Sequence, residues 1–215
     1  MIRLLGWAAA LALLGALALG FGYAPKDAVQ GNVQRIMYLH VPSILNAYLA
    51  FALVLGASVA YLITQRLRWD RLAASAAELG VIFTGLTLMS GSIWGKPTWG
   101  TWWTWDARLT STAILFLTYV GYLLLRAMSE DRERGARYAA VVGILGAVNI
   151  PIVHFSVLWW RTLHQPPTLL APEPAKFDPV MKWTLAANVA AFALLFTYLL
   201  AKRLALWRLE EETEA

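Results

Sequence analysis

The chain has 215 residues, of which 59% are hydrophobic and 14% charged, an apolar excess over the roughly 45–50% of an ordinary soluble domain. It contains no cysteine, which excludes disulfides, thiolate metal sites and cysteine nucleophiles. The net charge of +5 is scattered among connections without a continuous basic stripe, which argues against a nucleic-acid surface and leaves the charges to set membrane orientation.

Six apolar stretches are long enough to cross a hydrocarbon core, which takes roughly 20 helical residues. They run approximately over 4–23, 40–64, 72–93, 107–126, 137–158 and 183–203. None alternates with period two, so each reads as a helix that satisfies its own backbone in lipid. Together with short connections they consume residues 1–215, which predicts a single membrane domain: an all-α integral membrane protein with six transmembrane helices.

The first stretch follows Arg3 and holds a passable cleavage site at Ala18-Leu19-Gly20. Its apolar run is too long for a signal peptide and five more spans follow, so it is read as a retained helix. It stops at Gly22-Tyr23-Ala24-Pro25. The connection 24–39 ends in Ile36, Met37, Tyr38 and Leu39, which predicts a short helix lying on the membrane before His40 opens the second span. Pro42 is tolerable in a first helical turn. The third span carries Glu78, an ionisable group inside a membrane segment and so a functional candidate by default. Set against this are a protonated or water-reached carboxylate near the interface and pairing with a partner chain. The fifth span contains Asn149, Pro151 and His154, and its proline predicts a bend. The last connection opens on Trp159-Trp160-Arg161, reaches His164, and continues as a proline-spaced, non-helical excursion. The sixth span ends in Lys202 and Arg203 and leaves an acidic tail, 210–215.

Eleven basic residues (Arg3, Arg66, Arg68, Arg71, Arg126, Arg132, Arg134, Arg137, Lys202, Arg203, Arg208) fall on the side of the termini. Seven (Lys26, Arg35, Lys96, Arg108, Arg161, Lys176, Lys182) fall on the other. The positive-inside rule places both termini in the cytoplasm and the connection between helices 3 and 4 outside.

That connection is the most distinctive part of the chain. Residues 94–106 read W-G-K-P-T-W-G-T-W-W-T-W-D, with five tryptophans in thirteen positions. Gly95, Pro97 and Gly100 make it poor material for a transmembrane helix. An aromatic belt populates both membrane surfaces. Here Trp94, Trp99, Trp102, Trp103, Trp105, Trp159, Trp160 and Trp183 fall outside, against Trp7, Trp69 and Trp207 inside. The imbalance predicts a flat apolar binding platform. Were part of the segment helical, Trp99, Trp102, Trp103 and Asp106 would share one face. Asp106 is also a natural N-cap for the fourth span.

The three histidines, His40, His154 and His164, all fall toward the same outer surface. Neutral imidazole is a common metal ligand. Two imidazoles from separate segments, His40 and His164, flanking a platform of rings describe an axially ligated heme. His154 is read as a helix-packing residue. Heme propionates favour arginine, and Arg35 and Arg108 lie nearest the platform in sequence, with Lys96 a third candidate. The competing reading of all three is a snorkelling interfacial cation.

The stretch W-G-K-P-T-W-G-T-W-W-T-W-D-A-R-L-T-S closely resembles the tryptophan-rich "WWD" signature of heme-handling proteins. With F-G-Y-A-P, R-I-M-Y-L-H-V-P and N-I-P-I-V-H-F-S-V-L-W-W-R-T-L-H-Q, the chain resembles the heme exporter protein C (cytochrome c maturation protein C) family from about residue 20 to 165. The resemblance implies heme b held at the periplasmic face of the inner membrane, with His40 and His164 as axial ligands. It implies hand-over to a membrane-anchored periplasmic heme chaperone during c-type cytochrome biogenesis. It also implies partners: an ATP-binding-cassette ATPase, a second membrane subunit and a small single-span protein. No catalytic residue is expected, and Glu78 has no role to carry over. The alternatives are a heme lyase acting on apocytochrome thiols, a permease subunit of an ABC-type exporter, and a b-type electron carrier. The lyases look larger, with a further histidine pair within the membrane. A permease predicts polar residues throughout the spans. A b-type carrier needs paired histidines at matching depth on facing helices.

Overall fold

The computed structural model describes residues 2–164 and 178–214, and the proline-spaced part of the last connection lies outside them. The described residues form helices and connections without a β-strand. They include α1 (Ile2–Ala18), α2 (Met37–Thr64), α3 (Leu67–Trp99), α4 (Ala107–Ala127), α5 (Arg132–Ala147), α6 (Asn149–Trp159) and α7 (Pro179–Glu214). Counting α5 with α6 as one broken span, six helical segments are long and apolar enough to cross a membrane. The expected fold class holds.

The boundaries depart from the sequence reading where local chemistry explains it. α1 runs on through a π-helical turn, Leu19–Tyr23, and stops before Pro25. Instead of a separate surface helix, a 3-10 turn, Asn32–Ile36, feeds directly into α2, so His40 sits in its first turn. α3 continues through Pro97 to Trp99, which makes the first six residues of the tryptophan segment helical. A proline there removes only one intrahelical bond, and the Thr98 hydroxyl reaches back to the carbonyl of Trp94 at 2.7 Å. Gly100, in the left-handed region at φ 79°, then ends the helix. The bend expected at Pro151 is a break, with α5 ending at Ala147 and α6 starting at Asn149. α7 continues to Glu214, well past Arg203.

α2 and α3 form a tight hairpin at the centre, turned by Gln65 at φ 52°. α4, α5 and α6 pack on one side and α1 with α7 on the other. The α2–α3 contact is close because α3 buries Ala73, Ala76, Ala77 and Gly80, small residues at four-residue spacing that let helices approach in lipid. A methyl group on Gly80 would sit 2.3 Å from the Phe51 ring. Phe51 in turn stacks on Tyr119 of α4, with centroids 3.7 Å apart.

Many polar groups within the spans are paired, as lipid favours, though Asn46 Oδ1, Ser58 Oγ and Asn188 Oδ1 are buried without a partner among the described residues. Thr84 and Thr87 donate to carbonyls one turn back. Asn188 of α7 donates to the carbonyl of Ala16 in α1 at 2.9 Å. Asp70 and Arg126 make a two-pronged ion pair between α3 and α4 at the arginine-rich end. Glu78 is paired within its own chain, by Nε and Nη2 of Arg203 on α7 at 2.6 and 2.9 Å. Its role is therefore to tie α3 to α7, 21 residues before the end of α3 at Trp99.

Candidate functional site

At the tryptophan end the helices diverge around a cavity. Its inner wall is one face of α2 (His40, Val41, Ile44, Leu45, Tyr48) against one face of α3 (Thr87, Leu88, Gly91, Trp94, Gly95, Thr98). Both sets follow the i, i+3/i+4, i+7 spacing of a single helical stripe. Arg108 and Thr112 of α4, His154 of α6, and Leu163 and His164 beyond α6 close the other side. The space between these side chains, including open solvent at its mouth, is about 1280 Å³.

His40 and His164 both line this cavity, though 124 positions separate them in sequence. The His40 Nδ1 lies 3.1 Å from Oγ of Ser90 on α3. The Ser90 hydroxyl is itself 2.7 Å from the carbonyl oxygen of Leu86. A carbonyl only accepts, so the single hydroxyl hydrogen of Ser90 is committed to Leu86. The Ser90 oxygen must then accept from His40, which places the imidazole hydrogen on Nδ1 and the lone pair on Nε2. Gly91 leaves room for this ring, since a methyl group there would fall 3.0 Å from the His40 Cε1.

His164 is held in the same sense by a different group. Its Nδ1 lies 3.1 Å from Oδ2 of Asp106, and a carboxylate is an acceptor only. The Asp106 Oδ1 accepts from the backbone N–H of Leu109 at 2.8 Å, the N-cap of α4. Its Oδ2 also accepts from the Leu163 N–H at 3.3 Å. One carboxylate thus ties the start of α4 to the segment bearing His164. Burial pushes the His164 imidazole below its ordinary pKa, with the Asp106 charge opposing and Arg108 adding to the effect. The ring is consequently neutral at pH 7, with Nε2 free to coordinate a metal.

Of the five tryptophans, Trp94 and Trp99 line the cavity, each edge-on to one imidazole. Trp94 meets His40 at 5.7 Å between centroids and Trp99 meets His164 at 4.6 Å. The Trp94 indole N–H donates to Gln30 Oε1 at 2.7 Å, which fixes the ring from the α1–α2 connection. Trp102, Trp103 and Trp105 do not line it. Because Gly100 ends the helix, no face shared by Trp99, Trp102, Trp103 and Asp106 forms. Trp102 and Trp105 are instead 57% and 81% exposed, while Trp103 is half-buried and edge-on to Trp105. The loop that carries them is pinned by Ser92, whose hydroxyl donates to the Trp102 carbonyl at 2.6 Å.

The three cations separate equally clearly. Arg108 faces the cavity, with Nη2 on the carbonyl of His154 at 2.7 Å. Arg35 donates to the carbonyls of Phe21 and Ala24, both at 2.6 Å, and so caps the end of α1. Lys96 donates to the Gly100 carbonyl at 3.0 Å beside the Trp102 ring. His154, read from sequence as a packing residue, lines the cavity edge-on to Tyr48. The sequence reading also passed over Ser90, Gln30, Gly91 and Tyr48. Ser90 and Gly91 lie four and three residues before Trp94, a spacing that puts them on its helical stripe.

Fold and site define a multi-pass membrane protein with a paired-imidazole, indole-walled cavity at one end of its helices. The chain belongs to the heme exporter protein C family: the sequence model described as "Heme exporter protein C" matches residues 1–215. It is 42% identical over 185 residues to the Heme exporter protein C of Escherichia coli (strain K12), a match covering 86% of this chain and 74% of that protein. It is 38% identical over 205 residues to the Heme exporter protein C of Haemophilus influenzae, covering 95% and 83%. Identity is 42% over 154 residues with a putative cytochrome c biosynthesis ccmC-like mitochondrial protein of Marchantia polymorpha, covering 72% and 65%.

Proposed function

We propose that this chain acts in cytochrome c maturation by holding heme b between His40 and His164 and passing it to a heme chaperone. One observation carries the reading: both imidazoles line a single cavity with Nδ1 engaged behind them, so both present Nε2 inward. Metal-binding histidines are oriented by such partners. The donor set fits a porphyrin, with two neutral nitrogens for the iron, indole edges and aliphatic groups for the macrocycle, and a half-buried guanidinium for a propionate. Trp94 and Trp99 wall the ring and Arg108 is the propionate partner. Arg35 and Lys96, bonded to backbone carbonyls, stabilise the rim.

Heme is cargo here, and its vinyl and iron chemistry belong to it and to its acceptor. The chain contributes position. Its helices wall the cavity, while Trp102 and Trp105 lie exposed on the adjoining loop, a surface a chaperone could meet. The charge asymmetry supports a site on the periplasmic face of the inner membrane, with both termini in the cytoplasm. The partners expected are the anchored chaperone and the ATPase, second membrane subunit and small single-span protein of the same maturation system.

The test is made on purified protein loaded with heme and offered to the soluble domain of a heme chaperone. The reading predicts a six-coordinate, two-imidazole absorption spectrum that disappears as heme moves to the chaperone. His40→Ala and His164→Ala each abolish that spectrum and the transfer. Full heme loading with an unaltered spectrum in both variants would reject it.

A further inference from the structure

The two candidate ligands are supported unequally, and the inequality bears on how heme leaves. The inference rests on the heme reading above. Behind His164 stands a full carboxylate, Asp106, 9% exposed and held by the backbone N–H groups of Leu109 and Leu163 as well as by the imidazole. Behind His40 stand only neutral groups: the Ser90 hydroxyl, whose own hydrogen is already committed to the Leu86 carbonyl, and the backbone of Thr87. A hydrogen bond to an ionised acceptor is roughly twice as strong as one between neutral groups. A carboxylate behind an imidazole also raises the basicity of the nitrogen facing the metal.

The mechanical settings differ in the opposite sense. His40 sits in the first turn of α2, inside the central hairpin. His164 sits on a non-helical segment beyond α6. Backbone freedom alone would make His164 the ligand that lets go. Asp106 counters this by fastening that segment to the cap of α4, through both the Leu163 N–H and the His164 ring.

We propose that the ligation is asymmetric by construction: Asp106 makes His164 the retained ligand, and Ser90 leaves His40 as the ligand released first when heme is handed over. Asp106 and Ser90 are positioning residues, acting on the iron only through the imidazoles. The aspartate that closes the tryptophan segment is on this account a ligand anchor as well as a helix cap.

The experiment uses the full-length protein in detergent, loaded with heme and reduced, with carbon monoxide as the probe. Carbon monoxide binds only after one imidazole has left, so at saturating gas the observed rate is the rate of the faster-leaving histidine. Ser90→Ala removes the side-chain acceptor behind His40 and is expected to accelerate binding about tenfold, the lower end of what loss of such a partner costs. Asp106→Asn keeps a good N-cap but removes the charge. With His40 already the faster ligand, Asp106→Asn at most about doubles the observed rate while shifting the heme reduction potential upward.

An acceleration of about tenfold in Asp106→Asn with no change in Ser90→Ala would make His164 the released ligand and overturn the proposal. Unchanged rates in both variants would overturn it as well, since neither anchor would then govern release. The two-imidazole spectrum of each variant is recorded first. If the unsubstituted protein lacks that spectrum, it is the heme reading that fails, which separates the two outcomes.

Discussion

Gly91→Ala separates ligand geometry from stability in a single methyl group. A Cβ built at this position falls 3.0 Å from Cε1 of His40 and 3.4 Å from its Nδ1, where ordinary contact is 3.4–4 Å. The ring must therefore retreat from α3 by between 3.4 − 3.0 = 0.4 Å and 4 − 3.0 = 1.0 Å. Ser90 is on α3 too, so even the smaller retreat stretches its 3.1 Å bond to His40 to the limit of a hydrogen bond. Losing the orienting partner of a metal-binding histidine weakens binding by roughly 10- to 100-fold, or about 1.4–2.7 kcal/mol. Helix stability moves the other way, because alanine inside a helix is favoured over glycine by about 1 kcal/mol. The assay is a heme titration of the purified apoprotein followed in the Soret band, with thermal unfolding of the same sample. The expected result is heme affinity down at least about tenfold with an unfolding temperature equal to or above that of the parent. Heme affinity within about twofold of the parent would refute the placement of His40 against α3 as a ligand.

Four further outcomes follow from the same geometry. Asp70→Asn breaks the buried ion pair with Arg126, in which the side chains are 3% and 14% exposed. It should cost about 3 kcal/mol of unfolding stability while leaving the heme spectrum untouched, measured by denaturation in detergent. Gly80→Ala forces a methyl group against Phe51 and should destabilise by about 1–3 kcal/mol, again with a normal spectrum in whatever folds. For pH, His164 has a depressed folded pKa, so its neutral form is favoured in the fold. The stability this gives is present above the unfolded pKa and lost as pH falls through the lower folded value. Heme affinity should accordingly stay flat through neutrality and decline only below the ordinary imidazole range, as read by titration at stepped pH. Because the chain has no cysteine, single cysteines at Thr101 and Ser129 report topology cleanly. A membrane-impermeant thiol reagent should label the first and not the second in intact cells, and the reverse pattern would invert the orientation.

The helices were legible because apolar length is a strong, additive signal, and each of the six runs lies within a helical segment of the fold. Their ends were not. Pro97 and Gly95 read as helix breakers, yet α3 runs through both and ends only where Gly100 takes a positive φ. A proline near a helix end costs little, and sequence alone does not say which of two adjacent breakers acts. For the site, the distinctive letters fall at the end of the molecule that holds the cavity, but the fold divides them between cavity and surface. Trp94 and Trp99 face the cavity, whereas Trp102 and Trp105 are exposed, because turning outward depends on where the helix stops. Arg35 and Lys96 looked equivalent to Arg108 by proximity in sequence, yet backbone carbonyls claim both. The pairings Ser90–His40, Asp106–His164 and Glu78–Arg203 span 50, 58 and 125 positions, so no local pattern carries them. They follow from helix packing, which sets depth and facing together.

The proposed function requires His40 and His164 to bind one iron together. Low-temperature electron paramagnetic resonance of the ferric, heme-loaded protein addresses it directly. A low-spin signal of the two-imidazole type is expected in the parent, replaced by a high-spin signal in His40→Ala and in His164→Ala, with added imidazole restoring the low-spin form in each. A two-imidazole low-spin signal that survives in either variant without added imidazole would contradict it.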